Sequence, residues 1–231
     1  MKKVLMIVTS NAVMGEVGNP ASKVTGIWAE ELTTPFYALR DAGVAVHLAS
    51  PKGGAAPLDP GSMKAKGQNH ATVDRFLADP VAQAAIAATH AVATVNMADY
   101  DAVFFPGGHG TMWDLPNNAA IAAIVREADA AGKIIASVCH GAAGLVSATR
   151  ADGKAVVEGR RVNSFTDAEE AAVGLTGVVP FALETRLREL GGKFENAANW
   201  APFVVVDGKL ITGQNPQSSE LVAEAVLKAL G

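Results

Sequence analysis

Ile134-Ile135-Ala136-Ser137-Val138-Cys139-His140-Gly141-Ala142-Ala143-Gly144 is a five-residue apolar run that stops at a cysteine and passes into a chain of small residues. A short continuous apolar run reads as a strand covered on both faces, the habit of a parallel sheet. The small residues after it open a helix that can pack closely on that strand. Upstream, Ile121 to Ala131 repeats as an amphipathic helix, with Gly132 as its C-terminal stop. Before it, Asp101 to Phe105 is a second apolar run, ended by Pro106-Gly107-Gly108. Further out lie a strand from Lys3 to Thr9, a helix from Ile27 to Arg40 and a strand from Val44 to Ala49. This alternation predicts an α/β fold, a mainly parallel sheet with helices on both sides. Downstream, Val204-Val205-Val206, the turn Asp207-Gly208 and Leu210-Ile211-Thr212 predict a hairpin. Asn215 is expected to cap a last helix, with Pro216 at its first position.

Two stretches break the rhythm. Residues 11–25 are polar and carry glycine. Residues 51–98 begin Pro/Gly-rich and hold a helix near Pro80 to Thr89. Neither has the large apolar residues of a second core, so both read as elaborations over one face of a single domain spanning 1–231.

The 231 residues are 49% apolar and 18% charged, a balance that suits a sheet buried on both faces and not a disordered chain. A net charge of −4, without a basic stripe, excludes the nucleic-acid-binding class. Lys2-Lys3 before Val4 to Val8 imitates a signal sequence, but five apolar residues are too few. No stretch reaches membrane-spanning length. The single cysteine excludes an internal disulfide and any structural zinc site needing two cysteines from one chain. A cytoplasmic location is expected, with no partner among membranes or nucleic acids.

Ligands of open parallel sheets bind beyond the carboxyl ends of the strands, and Cys139 sits at such an end. A nucleophile at a sharp strand-to-helix turn is held exposed and strained. The positive end of the following helix should lower its thiol pKa. The alternative is a buried structural cysteine. On the helix Ile27 to Arg40, Trp28, Leu32, Pro35, Phe36 and Leu39 form the apolar stripe; Glu31 falls beside it and Glu30 points away. A core-side Glu31 would be desolvated, with a raised pKa suited to proton transfer near neutral pH; the alternative is a stripe-edge carboxylate that reaches solvent. The turn Pro106-Gly107-Gly108-His109-Gly110 offers the Gly108 amide to a developing oxyanion, with the His140 amide as its partner donor; an ordinary glycine turn would read the same way. None of the five histidines, His47, His70, His90, His109 and His140, lies beyond His140, which excludes the arrangement of class I glutamine amidotransferases. His140 would need an orienting carboxylate, for which Asp167, Glu169 and Glu170 are candidates.

The elbow Val138-Cys139-His140-Gly141, the turn Phe105 to Thr111 and the helix Thr25 to Glu31 resemble the ThiJ/PfpI superfamily. Glu158-Gly159-Arg160-Arg161-Val162 leading into Phe165-Thr166-Asp167, with Thr212 to Ser219, resembles its glyoxalase III-like, heat-shock-protein-31-type branch. The similarity covers nearly the whole chain, 51–98 included. It implies a flavodoxin-like three-layer sandwich, with 51–98 as a cap segment over the active site. It also implies a triad of Cys139, His140 and Glu170, with Glu31 as the acid beside the thiol. Glu169 departs from the Gly usual there, and Ala142-Ala143 stands where Pro often follows the Gly.

The implied activity is glutathione-independent conversion of methylglyoxal and related 2-oxoaldehydes to 2-hydroxy acids, D-lactate from methylglyoxal. It would proceed through a thiohemiacetal on Cys139, with no metal or cofactor, in a homodimer. Rival readings are an amidase, peptidase or deglycase using the same Cys139 and Glu31, or a stress holdase or redox sensor that is no enzyme.

Overall fold

The computed structural model describes residues 1–16, 18–19 and 22–231. Its central sheet is built from β1 (Lys3–Ile7), β4 (Ala45–Ser50), β5 (His90–Ala91), β6 (Ala102–Phe105), β7 (Ile134–Val138), β10 (Val204–Asp207) and β11 (Leu210–Gly213). A two-residue pair, β2 (Val13–Met14) and β3 (Lys23–Val24), and another, β8 (Arg161–Val162) and β9 (Lys193–Phe194), stand apart from it. The sheet order is β10-β11-β7-β6-β1-β4-β5. Every pairing in it is parallel except the β10–β11 hairpin, where Val204 faces Gly213 and Asp207 faces Leu210. The helices are α1 (Ala29–Asp41), α2 (Ala71–Ala78), α3 (Pro80–Ala87), α4 (Thr111–Asp114), α5 (Ala119–Ala130), α6 (Asp167–Ala172), α7 (Leu183–Glu189) and α8 (Ser219–Leu230). None is long and apolar enough to cross a membrane.

Successive strand residues point to opposite faces, and β1 divides its side chains accordingly. Val4 and Met6, with Val8 just past the strand, join Phe104, Ala136 and Val138 against Leu32 and Phe36 of α1 and Val222 and Val226 of α8. Leu5 and Ile7 join Val103, Phe105 and Ile135 against Ile121, Ile124 and Val125 of α5. The result is the three-layer sandwich of flavodoxin-like folds. Each fully buried side chain of this size contributes about 1.5–3 kcal/mol, which is why β1, β6 and β7 need no polar face. Their parallel carboxyl ends open on the same side of the sheet.

Several elements differ from their sequence reading. Helix α1 starts at Ala29, because Ile27 bridges to Leu58 and its N–H donates to Pro57. Residues 51–98 hold two helices where the pattern suggested one. Asp79 divides them, its Oδ1 accepting from the Val81 and Ala82 amides to cap α3. Asn215 does not cap α8 directly. It closes a capping box with Ser218 around the 3-10 turn Pro216–Ser218, which then feeds α8.

Candidate active site

At the end of β7 the backbone turns sharply, and Cys139 takes a φ of 56°, a left-handed conformation uncommon for a residue with a β-carbon. The helix that follows, Cys139–Leu145, is 3-10. Gly141 makes the turn feasible: a β-carbon there would run into the Phe105 carbonyl. The sulfur is buried, with Cys139 only 3% exposed. His140 Nδ1 lies 3.3 Å from Cys139 Sγ, and His140 Nε2 lies 2.6 Å from Glu170 Oε2. The adjacent histidine therefore faces the sulfur.

The acidic stretch at α6 resolves into three different jobs. Asp167 turns outward and accepts from the Thr185 hydroxyl. Glu169 is fully buried and closes a capping box with Thr166. Glu169 Oε1 also accepts from the Trp200 amide and from the Gln214 and Asn215 side chains. Glu170 alone reaches His140. It also reaches His109, whose Nε2 lies 2.8 Å from Glu170 Oε1.

Glu31 is 0% exposed. Neither carboxyl oxygen has a hydrogen-bond partner of ordinary geometry; the Cys139 thiol and the Gly107 amide are the groups that interact with it. A β-carbon on Gly107 would collide with Glu31 Oε2 and come within 2.9 Å of the His140 amide nitrogen. That glycine lets the acid and the cysteine turn meet. Gly108 has a φ of 106° and packs against the Gly26 and Trp28 backbone. Glu30 does not simply point away: it is half-buried and lines the same cavity as Glu31.

Burial sets the protonation of this cluster. It pushes the Glu31 carboxyl well above the usual range, only partly offset by Cys139 and Gly107. The thiol is corrected in direction: burial, and then the neighbouring Glu31, push Cys139 up, while the His140 amide pulls it down. A seven-residue 3-10 turn over a sealed sulfur does not outweigh desolvation. Burial, with His109 nearby, brings His140 down to about 4 despite Glu170. For Glu170 burial acts upward, but the hydrogen bonds from His109 and His140 together bring it down to about 2. The resting site thus holds a thiol, a neutral imidazole, an ionised Glu170 and a Glu31 pushed by burial toward its protonated form.

A cavity of about 310 Å³ opens over the sulfur. Cys139, His140, Gly108 and Glu31 line its base, and residues 61–73 contribute Ser62, Lys64, Asn69, His70 and Val73. Trp28, Phe165, Val173 and Trp200 supply apolar walls. Among the described residues, His109, His140 and Glu170 are the group whose donor atoms lie within 4.8 Å of one another, as a metal would require. Those atoms are engaged with each other.

Sequence reasoning placed Cys139, His140, Glu31, Glu170 and Gly108, and the fold brings all five together. It missed His109 as a second partner of Glu170, since 61 residues separate them. It also missed Trp200, which lies in a segment without periodicity. The one available signal for His109 was its place at the end of a strand neighbouring β7.

A parallel α/β sandwich with a left-handed cysteine after a central strand and a buried glutamate beside the sulfur defines a class of cysteine-centred proteins. The chain belongs to the DJ-1/PfpI family, whose model matches residues 24–229. Among named relatives, glyoxalase 3 of Candida albicans is 28% identical over 99% of this chain and 98% of its own. A glutathione-independent glyoxalase of Schizosaccharomyces pombe is 29% identical over 90% of this chain and 89% of its own. Of solved structures, the Rapid Encystment Protein 24 kDa of Francisella tularensis superposes with a TM-score of 0.93 at 40% identity, covering 100% of both chains. Glyoxalase III of Candida albicans superposes with a TM-score of 0.87 at 27% identity, covering 99% of this chain and 97% of its own.

Proposed function

We propose that this protein is a glutathione-independent glyoxalase that converts methylglyoxal and related 2-oxoaldehydes to 2-hydroxy acids, D-lactate from methylglyoxal. The observation that carries the reading is a fully buried carboxyl, Glu31, beside a buried sulfur whose other neighbour is a carboxylate-oriented histidine. The similarity to enzymes named glyoxalases supports it.

His140 Nδ1 takes the Cys139 proton as the sulfur attacks the aldehyde carbon. A C–S bond forms, and the carbonyl electron pair moves onto oxygen, giving a hemithioacetal. The Gly108 and His140 amides serve that oxygen. Glu31 gives its proton to that oxygen, completing the hemithioacetal, and the carboxylate so formed takes the proton from the former aldehyde carbon while protonated His140 gives its proton to the ketone oxygen, leaving an enediol. Glu31 then delivers its proton to the former ketone carbon as His140 takes the hydroxyl proton, leaving a thioester. One carbon is oxidised as its neighbour is reduced, so no external oxidant or reductant enters. Water cleaves the resulting thioester, releasing the 2-hydroxy acid and restoring the thiol. Glu170 holds the His140 tautomer with its free electron pair toward sulfur, and His109 holds Glu170. A single domain capped by residues 51–98, working as a cytoplasmic homodimer, completes the reading.

The test is lactate formation from methylglyoxal without glutathione, read with a D-lactate-specific dehydrogenase. Wild type should form D-lactate and Cys139→Ala none. Full activity in Cys139→Ala, or no turnover by a folded wild type, defeats the proposal.

A further inference from the structure

Trp200 has a φ of 67°, one of three non-glycine residues with left-handed backbone among those described. For a bulky aromatic this is a true outlier, kept only where the surroundings enforce it, and such outliers gather at functional sites. The enforcement is visible. The Trp200 amide donates to Glu169 Oε1 at 2.9 Å, and Glu169 is fully buried. The same oxygen is fixed by Gln214 Nε2 at 3.0 Å and Asn215 Nδ2 at 2.9 Å. Glu169 Oε2 is fixed by the Thr166 amide and hydroxyl.

What this anchoring presents is an indole 41% exposed on the cavity wall. Its ring centroid lies 5.7 Å from that of Phe165, which lies 4.5 Å from that of His140. A run of rings therefore leads from the residue beside the sulfur out to the mouth. Val173, 42% exposed, and Trp28 line the same cavity. At about 310 Å³ the space falls in the range of sites that enclose drug-sized ligands, about 300–1,000 Å³. A 2-oxoaldehyde with only a methyl substituent leaves most of it empty and the indole uncovered.

We infer that Trp200 is a specificity-determining residue, and that the site's preferred substrates are 2-oxoaldehydes whose ketone carbon bears an aromatic group, which packs along Phe165 and Trp200. This rests on the glyoxalase reading of the same site. Glu30, Lys64, Asn69 and His70 line the same cavity; if they set the preference, a phenyl group gains nothing, and a wild-type preference for methylglyoxal is the outcome that would say so.

The experiment compares kcat and KM for methylglyoxal and phenylglyoxal in wild type, Trp200→Gly and Trp200→Phe. Glycine accepts the left-handed backbone, so Trp200→Gly removes the indole without a steric penalty at that φ. Wild type should favour phenylglyoxal in kcat/KM. Trp200→Gly should lose about tenfold on phenylglyoxal, mainly through KM, in line with an aromatic pair plus its buried area. Its kcat/KM for methylglyoxal should fall by much less, so that the ratio between the two aldehydes moves against phenylglyoxal, and Trp200→Phe should recover most of the loss. Equal losses on both aldehydes, no loss on either, or a wild-type preference for methylglyoxal would overturn the inference while leaving the glyoxalase reading intact. Turnover of neither aldehyde by folded wild type would defeat both.

Discussion

The imidazole rings of His109 and His140 lie 4.0 Å apart, centroid to centroid, and share Glu170, each on a different carboxylate oxygen. With Glu170 ionised, both Nε2 atoms donate to it. His140 is 1% exposed along its side chain and His109 is 12%. The pair therefore links a nearly sealed imidazole at the cavity base to a more exposed one.

Replacing His109 with Phe keeps a ring against His140 but removes one donor from Glu170. The carboxylate then loses one of the two hydrogen bonds that hold it near 2. A charge-assisted bond is worth about 1.5–3 kcal/mol at most, so kcat should fall about tenfold with the acid limb of its pH profile moved upward. An unchanged pH profile in a folded variant would show that His109 leaves Glu170 alone.

Glu31→Gln keeps volume and hydrogen-bonding capacity but cannot carry a proton between carbons. Loss of a positioned acid–base group costs about 10²–10⁴-fold. Stopped-flow measurement should find Cys139 still adding to the aldehyde while lactate release collapses. Wild-type turnover in this variant would remove Glu31 from the chemistry.

Gly107→Ala should damage activity more than stability. Its new β-carbon meets Glu31 Oε2, and meets the Val138 carbonyl oxygen and His140 nitrogen at 2.7 and 2.9 Å. Shifting the cysteine turn by part of an ångström costs up to about a hundredfold in rate. Undiminished kcat/KM would mean that the turn yields without consequence.

The buried imidazole makes the fold acid-sensitive. His140 titrates near 4 in the folded chain and near 6.5 when unfolded, so between those values the unfolded state binds the extra proton. The contribution of this group to stability falls as pH drops from 6.5 to 4, by about 3 kcal/mol, while Glu31, raised by burial, contributes in the opposite sense as pH falls toward 4.5. Glu170, held near 2 against an ordinary 4.5, continues the loss from 4.5 downward. Asp114, pushed up to about 6 chiefly by burial, works the other way between 3.8 and 6. Urea unfolding of wild type against His140→Asn isolates the histidine. A stability difference that is constant from pH 7 to 4 would contradict this.

Removing Glu169 takes an acceptor from five donor groups, of which Gln214 Nε2 and Asn215 Nδ2 keep a second one in the Ala198 and Ala201 carbonyls. Glu169→Ala should destabilise by about 3 kcal/mol or more, as losing a partner in a buried network does. A thermal midpoint within a degree or two of wild type would refute the hub role.

The layered α/β fold was legible because strands buried on both faces leave unbroken apolar runs, and Ile134 to Val138 ends where its sequence says. The cysteine turn was legible for the same reason: Cys139 is where the run stops. Glu31 could be placed beside its stripe, but a helical wheel does not tell whether a stripe-edge carboxyl is sealed by a neighbouring turn, here Gly107. The direction of the thiol shift was misread because burial is a tertiary property, and it overrode the local helix end. His109 and Trp200 were out of reach for a related cause: their partners, Glu170 and Glu169, come from a distant helix. The helix expected between Pro80 and Thr89 is present as Pro80–Ala87, and the one before it, Ala71–Ala78, was missed because its eight residues bury only Val73 and Phe76, too few for a helical period to stand out.

Of the three tryptophans, Trp28 and Trp200 face the cavity, while Trp113 on α4 packs against the other side of the core. The molecule thus carries its own optical gauge of occupancy. A ligand large enough to fill the cavity changes the surroundings of two indoles and leaves the third as an internal reference, so filling of the site can be followed by emission alone, with no label and no turnover.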